Sequence, residues 1–115
     1  MSDIERERII RLACTETVSR GHQITSGIFG IEVVANHYQI TGRECCALAA
    51  AMVGRKTMPG ASLVESIAGV FMVDKRWVSS FINGFDDRAT RKQSLIRGEP
   101  SAYEMGYTIA EEFIG

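Results

Sequence analysis

Polar cap residues followed by apolar residues at helical spacing recur along the chain. In a capping box, a Ser or Thr and a Glu three residues later each satisfy a free backbone N–H at a helix start. The pattern occurs at four plausible starts, Ser2/Glu5, Thr41/Glu44, Ser62/Glu65 and Ser101/Glu104. Each precedes a run of apolar residues at helical spacing, which predicts at least four helices. The first of them is expected over residues 3 to 20, with Gly21 as its C-terminal stop.

The segment from residue 24 to 40 allows two interpretations. Four of its residues follow helical spacing, namely Ile28, Ile31, Ala35 and Tyr38. Interspersed glycines and β-branched residues lower its helix propensity. We favour a helix that is kinked or starts late. A strand is the alternative, although no partner strand is evident elsewhere in the chain.

The remainder of the chain also has a helical pattern. Residues 41 to 54 are apolar nearly all round, which is typical of a central buried helix, and Pro59-Gly60 predicts a loop. Further helices are expected at 62–72, 74–83, 88–97 and after residue 100, with Asp74 as an N-cap and Gly84 as a stop. The prediction is an all-α single domain of five to six short helices, with N-terminal helices in 1–58, a tight pair in 62–84 and a C-terminal helix in 101–114.

One stretch carries a more specific signal. Residues 64 to 83 read VESIAGVFMVDKRWVSSFIN. This stretch resembles the helix-turn-helix unit of Cro-type and repressor-type DNA-binding proteins, in which two short helices cross through a tight turn and the second lies in the major groove. Ala68 stands at the small crossing position, and apolar residues stand at the buried ones. Met72 departs from the glycine favoured in the turn, and Trp77 is large for its position.

The resemblance implies which side chains would face DNA. They are polar or basic groups of the second helix and of the basic run that follows it, and such groups contact phosphates or base edges. The candidates are Lys75, Arg76, Ser79, Ser80, Asn83, Arg88, Arg91 and Lys92. The resemblance therefore implies a regulator of transcription that binds DNA.

Charge and cysteine content refine this picture. The 115-residue chain has a formal net charge of −1, yet residues 55 to 97 contain eight basic and four acidic residues. Such asymmetry hints at a charged partner on one face. Three cysteines, two of them adjacent, indicate reduced thiols and a cytoplasmic location rather than a disulfide framework. Neither a signal peptide nor a membrane-spanning run is evident.

The alternative function is docking onto another protein. The segment after residue 24 carries apolar groups in more directions than one buried stripe requires, so some could form an exposed patch. The candidate interface residues are Ile24, Ile28, Phe29, Ile31, Val34, Tyr103 and Tyr107. The patch would serve a homodimer or a different protein target. We expect the protein to form a homodimer, which would also suit DNA with paired half-sites.

Enzyme motifs are absent from the sequence. His22 and His37 form no HExxH pattern, the adjacent cysteines form no CxxC pair, and neither GxGxxG nor GxxxxGK[ST] occurs. We therefore expect no catalytic residues, no metal and no cofactor, and interpret the protein as one that binds a partner.

Overall fold

The computed structural model describes residues 1–94 and 97–114, in which five helices and four short strands are present. The helices are α1 (Asp3–Ser19), α2 (Ala47–Ala50), α3 (Leu63–Phe71), α4 (Lys75–Thr90) and α5 (Pro100–Phe113). The strands are β1 (Gln23–Ile24), β2 (Ile31–Val34), β3 (His37–Ile40) and β4 (Glu44–Cys45). The fold is mixed α/β, so the all-α prediction is wrong.

Two of the four predicted capping boxes mark real helix starts. The Ser2 hydroxyl accepts a hydrogen bond from the Glu5 N–H at 3.2 Å, and α1 has nearly its predicted extent. Ser62 and Glu65 each bond the other's backbone N–H at the start of α3. The capping box predicted at Ser101 does not form, because α5 already begins at Pro100, a residue favoured in the first turn of a helix.

A β-hairpin replaces the helix that we favoured between residues 24 and 40. β2 pairs antiparallel with β3, with Val34 opposite His37. Ala35 and Asn36 between them have φ of 50° and 66°. Two successive positive φ values make a type I′ turn, whose twist matches that of the flanking strands. The partner strand that the sequence did not reveal therefore lies two residues further along the same segment.

Residues 41 to 54 do not form one long helix. β4 instead pairs in parallel with β1, so Glu44 aligns with Gln23 rather than capping a helix. α2 is a single turn whose N-cap is Cys46, and the Cys46 Sγ accepts from the Ala49 N–H at 3.4 Å. The predicted burial is confirmed for residues 45 and 47–52, whereas residues 41–44 and 54 are exposed.

α4 continues through Gly84, the predicted stop, to Thr90. Its backbone lies against α5 at two places, where Gly84 meets Tyr103 and Phe81 meets Gly106. The two contacts run in opposite order along the chain, so α4 and α5 are antiparallel. Gly84 is therefore a close-packing residue rather than a helix terminator.

The short helix predicted at 88–97 is also wrong in the described residues. Residues 88–90 belong to α4, and residues 91–94 form a loop. Leu95 and Ile96, which fall inside that predicted helix, lie outside the described residues. The left-handed conformation of Arg91, with φ of 57°, ends α4.

A row of aromatic rings lines the inner face of α4. Trp77 stacks between Phe71 of α3 and Phe81, with ring centroids 6.3 and 5.8 Å away. Phe85 continues the row at 6.4 Å from Phe81. All four rings are buried. This row fixes which face of α4 points inwards, and it explains why a large Trp77 is accommodated after the turn.

Candidate nucleic-acid interface

The connection between α3 and α4 is residues 72–74, as short as the resemblance implied. Met72 adopts the left-handed conformation, with φ of 56° and ψ of 47°. Its N–H donates to the Gly69 carbonyl, and the Val73 N–H donates to the Ala68 carbonyl. These bonds satisfy backbone acceptors that a helix end leaves free. The chain thus reverses sharply at a residue that is not glycine, which costs about 1 kcal/mol or more.

Arg6 of α1 holds this turn from outside the helix pair. Its Nε donates to the Phe71 carbonyl at 2.7 Å, and its Nη2 donates to the Met72 carbonyl at 3.3 Å. Asp3 accepts from the Arg6 Nη1 at 2.7 Å, and the guanidinium carbon lies 5.9 Å from the centre of the Trp77 ring. Hydrogen bonds from a charged donor are stronger than neutral ones, so they offset the strain at Met72. This role of Arg6 was not predicted, because Arg6 and the turn are far apart in the sequence.

α4 begins directly after the turn with an exposed polar face. Asp74 caps the helix, because its Oδ1 accepts from the Trp77 N–H at 2.9 Å. Lys75, Ser79 and Asn83 follow at four-residue steps and are all exposed. A four-residue step keeps side chains on one helix face. Four of the eight predicted DNA-facing residues are therefore brought together, since the neighbouring Arg76 is also exposed.

Ser80 lies one turn after Arg76 on α4 but is covered by the chain that precedes α5, so the expectation that it faces DNA is wrong. It is 1% exposed. Its hydroxyl donates to the Arg76 carbonyl at 2.7 Å and accepts from the Glu99 N–H at 2.8 Å. Ser80 thus ties the chain that precedes α5 to the middle of α4.

The basic residues at and just beyond the end of α4 are separated from the exposed face of Lys75. Arg88 is half-buried and its Nε lies 3.7 Å from a carboxylate oxygen of Glu111 on α5. Arg91 and Lys92 are exposed beyond the end of α4. With a rise of 1.5 Å per residue, the end of α4 lies about 24 Å from its start. These three residues do not extend the first face as one patch.

Acidic groups bound the exposed face on two sides. Hydrogen bonds from Ser62 lower the pKa of Glu65, and the charge of nearby Lys75 lowers it further. Asp86 follows Asn83 on the same side of α4 and is half-buried. A phosphate approaching that point would meet a carboxylate. The usable basic surface is therefore confined to the first two turns of α4.

Asp87, which was not among the predicted site residues, organises the chain after α4. Its Oδ2 accepts from the Tyr103 hydroxyl at 2.6 Å and from the Ser94 N–H at 2.8 Å, and its Oδ1 accepts from the Ser94 hydroxyl at 2.9 Å. Burial by itself would raise the pKa of Asp87, but these bonds and the charge of Arg97 hold it below its ordinary value. Asp87 thereby connects α4, the following loop and α5.

The predicted interface residues divide into core and surface. Ile24 and Tyr103 are buried, so the expectation that they form an interface is wrong. Phe29 and Ile31 are partly buried against the core. The exposed members are Ile28 at 55%, Val34 at 48% and Tyr107 at 38%. Val33, which was not predicted, is 58% exposed.

β2 also presents unpaired backbone at its outer edge. In the antiparallel register, the backbone groups of Ile31 and Val33 point away from β3. β3 is bonded on its far side, where the Tyr38 N–H donates to the Arg55 carbonyl. Among the described residues, no backbone partner covers the edge of β2. A short, apolar and open edge of this kind is a template for another strand.

The three cysteines are free thiols. Burial raises the pKa of Cys45 to about 11 and that of Cys46 to about 12, and it also raises the pKa of Cys14. These thiols stay protonated at neutral pH, so they are poor nucleophiles and poor metal ligands. Residues 1–94 and 97–114 contain no group of three or more metal-binding side chains, and no helix among them is long and apolar enough to cross a bilayer.

In comparisons with protein-family models, with curated proteins and with solved structures, none matches this chain. We therefore infer the function from the geometry of the chain itself.

Proposed function

We propose that the protein binds duplex DNA through the first two turns of α4 and acts as a regulator at the level of transcription. The observation that carries this proposal is the left-handed turn at Met72, which Arg6 holds in place and which leaves the outer face of early α4 open to solvent. In helix-turn-helix proteins, the second helix enters the major groove with its N-terminal residues against the bases. Because the thiols are free, we place the protein in the cytoplasm.

The exposed residues of α4 have distinct roles in this proposal. Lys75 and Arg76 contact phosphates or the acceptor edge of guanine, while Ser79 and Asn83 contact bases or backbone one to two turns further along. The backbone N–H groups at the start of α4 add a favourable dipole for phosphate. The contact ends before Asp86, whose carboxylate would repel the next phosphate.

The proposal is tested by replacing Lys75 and Arg76 together with alanine. We expect DNA affinity to fall about tenfold to a hundredfold, because two charged contacts are lost. The slope of the logarithm of affinity against the logarithm of salt concentration should become shallower by about two. The measurement is a mobility-shift salt series on mixed genomic DNA fragments.

A matched control removes the same charge from elsewhere. Arg8→Ala/Arg43→Ala changes two exposed arginines outside α3 and α4, and it should leave the salt slope close to that of the unmodified protein. DNA affinity that is unchanged by the α4 double variant, or equally reduced by the control, would contradict the proposal.

We also propose that two copies of the chain pair through β2. The open edge of β2 and the exposed Ile28, Val33 and Val34 favour this contact. Antiparallel pairing of β2 with its own copy would satisfy the free backbone groups of Ile31 and Val33 in both chains. A two-fold dimer would present two α4 helices to paired half-sites.

The dimer proposal predicts that Val33→Lys yields a monomer, because a lysine beside a strand edge opposes further pairing. Sedimentation equilibrium measures the change. Glu32→Lys is the control, since the Glu32 backbone faces β3 and its side chain is already exposed. A monomeric unmodified protein at high micromolar concentration would count against β2 pairing, as would a Val33→Lys protein that remains dimeric.

A further inference from the structure

A cleft of about 180 Å³ opens between α4, the start of α2 and residues 27–29. Its walls are mostly apolar, with Phe29, Leu48, Phe81 and Phe85 among them. An engineered apolar cavity of about 150 Å³ accepts benzene. The cleft is therefore large enough for one aromatic ring or a branched alkyl group of similar size.

Asp86 gives this apolar cleft a negative charge on its wall. The carboxylate is half-buried and takes part in none of the ion pairs among the described residues. Burial raises the pKa of Asp86, which the nearby Gly27 N–H opposes and the charge of Asp87 reinforces. The other ionisable group in the wall is the Cys46 thiol, which stays neutral because burial raises its pKa to about 12. The cleft therefore offers one anionic group and no cationic one.

We propose that this cleft is a binding site for a small organic cation, a protonated amine carried on an aromatic or branched alkyl body. The body would fill the space between Phe29, Leu48 and Phe85, and the ammonium group would pair with Asp86. A partly desolvated carboxylate next to apolar walls favours such a ligand over a neutral one, because the ion pair forms away from bulk water. An anionic ligand of the same shape would be repelled. The site is distinct from the exposed face of Lys75 and does not depend on DNA binding.

The test uses the full chain and three probes of matched shape, 2-phenylethylamine, 2-phenylethanol and 3-phenylpropanoate. At neutral pH they are a cation, a neutral molecule and an anion. Binding is followed by amide chemical shifts in ¹⁵N-labelled protein, which also locate the site. We expect the amine to bind with a millimolar or lower Kd, about tenfold more tightly than the alcohol, and to shift the amides of residues 27–29, 46–48 and 81–86.

Two variants separate the charge from the cavity. Asp86→Asn keeps the shape of the side chain and should weaken amine binding about tenfold while leaving alcohol binding unchanged. Glu104→Gln removes an exposed carboxylate on α5, away from the cleft, and should change nothing. The proposal is overturned if the amine and the alcohol bind equally, if Asp86→Asn binds the amine like the unmodified protein, or if the shifted amides lie elsewhere. Absence of binding by all three probes at several millimolar would overturn it as well.

Discussion

Replacing Gly84 with alanine should lower the free energy of unfolding by about 3 kcal/mol or more, because it forces α4 and α5 apart. A methyl group at this position would overlap the Tyr103 carbonyl oxygen and lie 2.8 Å from its carbonyl carbon. These atoms belong to the backbone of α5, so no side-chain rotation relieves the overlap. Among the described residues, α4 and α5 make the most extensive contact between two helices. Separating them therefore weakens packing along both helices.

The same contact can be tested from the other helix, and a third glycine serves as the control. A methyl group at Gly106 would overlap the Phe81 carbonyl oxygen, so Gly106→Ala should be similarly destabilising. Gly69 lies within α3 and is exposed, with only the Met58 sulfur at 4.0 Å from the added methyl position. Gly69→Ala should therefore stabilise the protein by about 0.5–1 kcal/mol through the gain in helix propensity. Denaturant unfolding measures all three, and a Gly84→Ala protein as stable as the unmodified one would refute the close crossing.

Asp87→Asn is expected to cost about 2 kcal/mol at neutral pH, because the charged acceptor is lost and the amide NH2 that replaces one carboxylate oxygen cannot accept a hydrogen bond. The carboxylate accepts from Tyr103 and twice from Ser94. The folded-state pKa of Asp87 is lowered, so its contribution is present above the ordinary carboxyl pKa and is lost as the pH falls through the folded-state pKa. The difference between the two proteins should be constant near neutrality and shrink below about pH 4.

The neighbouring Asp86 provides a control, because its pKa is shifted in the opposite direction to that of Asp87. Burial raises its pKa, so its charged form is less stable in the folded protein than in the unfolded chain. Asp86→Asn should therefore leave the free energy of unfolding unchanged or raise it at neutral pH, with the difference vanishing in acid. Urea unfolding between acid and neutral pH follows both variants. Equal effects of the two substitutions would show that the Asp87 hydrogen bonds do not stabilise the fold.

The starts of α1, α3 and α4 were predicted correctly because they are set by neighbouring residues. Ser2, Ser62 and Asp74 each bond a backbone N–H three residues later, and this interaction needs nothing from the rest of the chain. For the same reason, Lys75 and Arg76 could be predicted from the sequence as exposed candidates. A cap motif fails where the chain has a stronger competing interaction, as Glu44 shows by pairing with β1.

The hairpin and the buried contacts depend on residues that are distant in sequence or in space. Residues 28, 31, 35 and 38 fit helical spacing, yet only Ile31 and Tyr38 lie in the paired strands, while Ile28 is in a loop and Ala35 is in the turn. The bond from the Tyr38 N–H to the Arg55 carbonyl, which no local pattern reveals, supports β3 on its far side. Ser80 was predicted to face solvent, but Glu99 bonds to it and covers it. Gly84 was predicted to end a helix, but it lies against the backbone of Tyr103. The role of Arg6 likewise appears only when α1 lies beside the turn at Met72.

The sequence by itself determined the positions of α1 and α3, the start of α4, the buried run after Cys46 and the basic residues of early α4. Local capping bonds and the burial of apolar side chains suffice for these features, because each is decided within a few residues. Only the tertiary structure decided the hairpin, the length of α4, the burial of Ser80 and the cleft beside Asp86. Each of these depends on the free energy of contacts between distant segments, which no local pattern of residues encodes.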